Sequence, residues 1–81
     1  MHELGMTRRL LEVVLARAAE AGATRVSAVH LEIGEESDVA PESLDFYWTD
    51  VARATPAEGA QLLFVTAADP FAFRVTAVDA D

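Results

Sequence analysis

The chain opens Met1-His2-Glu3. A histidine at position 2 can do what an internal histidine cannot. Its ring nitrogen, its own backbone nitrogen and the α-amino group of Met1 lie within reach of one metal ion. The amide or the carboxylate of Glu3 completes a nitrogen-rich, roughly planar set. Such a set suits Ni(II) or Cu(II) and suits Mg or Ca poorly. The bare donors favour Cu(II) in affinity, so selectivity for nickel would have to come from partners and metal supply. Amine and imidazole bind only when deprotonated, so affinity falls as pH drops below about 7. Two further groups bear on a metal. His30 reads either as a strand histidine or as an added ligand, should the fold bring it to His2. The run Glu35-Glu36-Ser37-Asp38 reads either as a solvated turn or as a carboxylate wall beside the metal.

These residues need elements to hold them. Leu10, Leu11, Val14, Leu15 and Ala18 recur at helical spacing, with Arg9, Glu12, Ala16 and Glu20 opposite, and predict a helix over 6–21. Arg8 and Glu12, four apart, are placed to pair. Gly22 stands where a left-handed stop belongs. On this reading Met1-His2-Glu3 sits just before the positive end of the helix dipole, and the Glu3 carboxylate offsets the cost to a cation. Residues 25–33 read as a strand, with Val29, Leu31 and Ile33 on one face and Ala28, His30 and Glu32 on the other. Pro41 suits the first position of a second helix carrying Leu44, Trp48, Val51, Ala52 and Thr55 inward, and Asp45, Thr49 and Arg53 outward. Pro56 and Gly59 break it. Residues 61–67 read as a strand apolar on both faces, hence central or well covered. After Ala68-Asp69-Pro70, residues 71–78 read as a closing strand with Phe71, Phe73 and Val75 on one face, followed by a polar end, Asp79-Ala80-Asp81. The order αβαββ predicts a two-layer α/β (α+β) domain, a three-stranded sheet with two helices on one face.

Composition sets limits. Eighty-one residues make one small domain, with 6 basic and 14 acidic residues and a net charge of −8. That balance argues against nucleic acid and against an anionic membrane surface as partners. An apolar share of 52% is ample for a core. There is no cysteine, hence no disulfide, no thiolate nucleophile and no Cys-based zinc site. No signal-peptide pattern or spanning apolar run occurs, so the expected location is cytoplasmic. With no Gly-rich phosphate loop and no His-x-x-x-His, nothing supports an enzyme.

Beyond the first three residues a longer pattern runs in order: Met1-His2-Glu3-Leu4, Leu10-Leu11-Glu12, Gly22-Ala23-Thr24-Arg25-Val26 and Val29-His30-Leu31-Glu32-Ile33-Gly34-Glu35. It continues with Pro41-Glu42-Ser43-Leu44-Asp45-Phe46 and Ala57-Glu58-Gly59-Ala60. From residue 1 to about residue 65 the chain resembles the nickel-binding domain of the HypA/HybF family, the nickel metallochaperones of [NiFe]-hydrogenase maturation. The resemblance implies Ni(II) held at Met1, His2 and Glu3 and passed on by ligand exchange, with no covalent catalysis. It implies a HypB-like GTPase and the [NiFe]-hydrogenase large subunit as partners. Family members also carry a Cys-rich zinc domain inserted before the final strand. Here the strand ending near Ala67 passes through Ala68-Asp69-Pro70 straight into Phe71, so residues 1–81 read as the nickel domain alone, the junction lies near 67–71, and no zinc is expected. Some relatives have an acid before the second helix that joins the nickel site; the aligned residue is Ala40, with Asp38 nearby. These departures leave open a second reading, a HypA-derived scaffold or accessory subunit that binds a hydrogenase or maturation partner without delivering nickel. A homodimer, through a sheet edge or by exchange of the closing strand, is a further expectation.

Overall fold

The computed structural model describes residues 2–81, with side chains from Glu3 onward. The first helix, α1, spans His2–Glu20. The apolar stripe alone predicts a start at Met6; the helix runs further back for two reasons. The first four N–H groups of any helix need no helical acceptor, and an acid in the first turn, here Glu3, suits the dipole. The price of Gly5 within that turn, about 1 kcal/mol against alanine, is overridden. Leu10, Val14 and Ala18 are buried, while Arg9, Glu12, Ala16 and Glu20 are exposed. The other end closes as a Schellman motif. Gly22 takes φ +71°, its N–H donates to the Ala19 carbonyl, and the Ala23 N–H donates to Ala18.

Strand β1 is Val26–Ile33, helix α2 Pro41–Val51, strand β2 Gln61–Thr66 and strand β3 Phe73–Ala80. The sheet order is β2-β1-β3, so β1 is the central strand. β1 and β2 run parallel, joined through α2, with Ala28 opposite Gln61 and Ile33 opposite Thr66. β3 closes antiparallel on the other side, with Ile33 opposite Phe73 and Val26 opposite Ala80. Both helices cover one face. Leu10, Val14 and Ala18 from α1 form a single core with Leu44, Trp48 and Ala52 around α2, Val29, Leu31 and Ile33 from β1, and Leu62 from β2. The Trp48 indole N–H donates to the Ala60 carbonyl at 3.0 Å, which satisfies its polar handle inside the core. No helix among the described residues is long and apolar enough to cross a membrane.

Further expectations are corrected. β2 is an edge strand, not a central or well-covered one. Leu62 is buried under the helices, but Leu63 and Val65 are 41% and 60% exposed on the sheet's open face. β3 starts at Phe73 rather than Phe71, and Phe71 is 70% exposed in the preceding turn. The strand also runs past Val78 through the residues read as a polar end. A β-bulge explains this: His30 faces Ala77 while Leu31 faces Val75, leaving Thr76 unpaired. The extra residue resets the alternation, so Phe73, Val75, Val78 and Ala80 all pack inward. The Arg8–Glu12 pair is not among the ion pairs of the described residues, which join Arg74 to Glu32, Arg53 to Asp50 and His30 to Asp79.

Candidate metal centre

Of the three residues marked out for metal, Met1 lies outside the described residues. His2 is the first residue of α1, and Glu3 lies half-buried in its first turn. Because the helix begins at His2, the backbone nitrogens of His2 and Glu3 belong to the turn whose N–H groups have no helical acceptor. Using these two backbone nitrogens for a metal therefore breaks no helix hydrogen bond. The Glu3 carboxylate at this positive end offsets the dipole's effect on a cation. One turn on, Thr7 is fully buried and its hydroxyl donates to the Glu3 carbonyl at 2.5 Å. The threonine fixes the backbone of Glu3 against the body of α1. Sequence reasoning passed over Thr7, although its position three residues before Leu10 and seven before Val14 put it on the apolar stripe.

His30 is held elsewhere. Its Nε2 lies 2.9 Å from Asp79 Oδ2 on the exposed face of the sheet. The neighbouring Val29 and Leu31 point into the core shared with α1. The sheet therefore separates His30 from the helix that carries His2. The acidic run forms a turn in which Glu35, Glu36 and Asp38 are exposed. The Glu36 N–H donates to the Pro70 carbonyl at 2.6 Å, and the Ser37 hydroxyl oxygen accepts from the Val39 N–H. Glu35 and Asp38 line a cleft of about 430 Å³ with Ala40, Pro41, Phe64 and Thr66. Ala40 gives α2 no side-chain cap. Among the described residues no three His, Cys, Asp or Glu side chains converge as a metal group. What the described part offers a metal is therefore Glu3 and the backbone nitrogens of His2 and Glu3, which have no helical acceptor.

The arrangement defines a class, a two-layer α+β domain whose first helix opens at residue 2. The same fold is found in the solution structure of the Ni metallochaperone HypA from Helicobacter pylori. That structure superposes with a TM-score of 0.85 over 99% of this chain and 97% of that one, at 12% identity. At that identity the likeness is one of fold. Sequence carries the rest. The profile of the family described as hydrogenase/urease nickel incorporation, metallochaperone, hypA matches residues 1–72. The hydrogenase maturation factor HypA of Pectobacterium atrosepticum is 48% identical over 62 residues, 76% of this chain and 53% of that protein. HypA of Chloroflexus aurantiacus is 41% identical over 63 residues, covering 78% and 55%. HypA of Methanopyrus kandleri is 46% identical over 61 residues, covering 75% and 43%. The chain belongs to the HypA family, and it spans about half the length of these relatives.

Proposed function

We propose that this chain is a nickel-binding metallochaperone domain for [NiFe]-hydrogenase maturation. It holds Ni(II) through Met1, His2 and Glu3 and releases it by ligand exchange, without catalysing a covalent step. The observation that carries this reading is that the family match begins at residue 1, on the residues whose donors suit nickel. A helix that starts at His2 and leaves its first backbone nitrogens without acceptors supports it. The metal gains from this chain a fixed first turn, anchored by the Thr7 bond to Glu3. Partners on this reading are a HypB-like GTPase and the hydrogenase large subunit, in the cytoplasm. On this reading residues 1–81 are the nickel domain, with the family's zinc-domain insertion point at the turn near 67–71, and with no cysteine present a cysteine-based zinc site is not available.

The scaffold reading has one observation of its own. Phe71, at that junction, is 70% exposed, so a partner could cover it there. One experiment separates the two. The nickel-loaded chain is mixed with a hydrogenase large-subunit precursor, and nickel in each protein is measured after separation. Delivery predicts nickel in the precursor, with a His2→Ala chain transferring none. Binding of the precursor without transfer of nickel is the scaffold result.

A further inference from the structure

The two edges of the sheet differ. β3 carries Arg74, Asp79 and the bulge at Thr76, devices that discourage pairing with another strand. β2 has no charge, no proline and no register shift. It pairs with β1 on one side only. Beyond that ladder, no backbone hydrogen bond among the described residues engages Gln61–Thr66. Its Leu63 and Val65 stand exposed beside His30 and Glu32 of β1. At its C-terminal end Phe64, Val65 and Thr66 line the cleft of about 430 Å³, and the acidic residues Glu35 and Asp38 line the same cleft.

We propose that the β2 edge receives an extended basic segment of a partner protein, added antiparallel as a fourth strand. The inference stands apart from nickel binding. Main-chain hydrogen bonds to the free edge supply affinity, and alternate side chains supply specificity. Apolar residues at every second position of the incoming segment pack on Leu63 and Val65. Antiparallel addition sets its N-terminal end beside the C-terminal end of β2, within reach of the carboxylates of the cleft. Lysine or arginine belongs there. Charge decides the occupant: a second copy would bring its own net charge of −8 and the same acidic turn to this edge, whereas a basic segment meets opposite charge.

Three short synthetic peptides test this on the full chain, each alternating valine and threonine. One has a pair of lysines at its N-terminus, one has the lysines at its C-terminus, and one has a pair of aspartates at its N-terminus. Binding is read by fluorescence anisotropy and by amide shifts. The N-terminal lysine peptide is expected to bind about tenfold tighter than either other peptide, with the largest shifts in Gln61–Thr66. Glu35→Lys with Asp38→Lys is expected to remove that preference and leave the melting temperature unchanged. No binding, equal binding by all three, or shifts centred elsewhere would overturn the proposal. So would a doubled mass by light scattering without peptide, if it came with the same shifts in Gln61–Thr66, because a second copy would then fill the edge.

Discussion

At Gly34 a side chain has nowhere to go. A Cβ there would run into the backbone of Asp69 and Pro70, which the Gly34 N–H helps hold through its bond to the Ala72 carbonyl at 2.8 Å. The residue before the acidic turn and the turn between β2 and β3 thus share one tight crossing. Gly34→Ala should cost about 2–3 kcal/mol, because the obstacle is backbone and cannot rotate away. Denaturant titration would show it as a lower midpoint; an unchanged midpoint would mean the crossing is looser than described. Trp48 offers a second residue-scale test. Trp48→Phe leaves the Ala60 carbonyl without its indole partner and should cost about 1–3 kcal/mol by the same measurement.

At the scale of elements, the bulge in β3 makes a sharper prediction than the strands around it. Thr76 is the residue without a partner across the ladder. Deleting it should leave Val75 and Val78 both facing the core, so the chain should still melt cooperatively, within a few degrees of the parent. Deleting Val78 instead would send Asp79 inward and Ala80 outward, and cooperative melting by circular dichroism should be lost. The same strand shows where reading the sequence stopped. The start of helix α2, strand β1 and the stop at Gly22 were legible because pattern, proline and glycine agreed locally; the end of α2 was not, since the helix closes at Val51 while the apolar spacing runs on to Thr55. β3 was not, since a bulge leaves no local signature in Phe73–Ala80 and breaks the alternation on which its faces were judged. β2 misled for another reason. Leu62-Leu63-Phe64-Val65 is apolar on both faces, which is how a covered strand reads, yet only the helix side is covered. Whether a strand is central depends on its neighbours, which its own residues do not state.

At the scale of the molecule, hydrogen bonds tie the turns at both ends of the sheet. β2 reaches β3 through a turn in which the Asp69 carboxylate accepts from the Phe71 N–H and the Pro70 carbonyl accepts from the Glu36 N–H. The far end is tied as well: the Thr24 and Arg25 N–H groups both donate to the Asp81 carbonyl. The candidate site was legible in sequence to the extent that its donors are consecutive and need no fold to bring them together. That α1 begins at His2, and that Thr7 holds the Glu3 carbonyl, depend on burial and capping, and neither is visible in the first three residues alone.

The central claim, nickel at the amino terminus, is tested most directly by calorimetric titration of Ni(II) into three chains. One has Met1 free, one carries His2→Ala, and one has extra residues ahead of Met1. The first should bind one nickel at micromolar or tighter dissociation, with a visible absorption band typical of nitrogen ligands in a plane. The other two should lose that binding. Equal binding by all three, or none by the first, would contradict the claim.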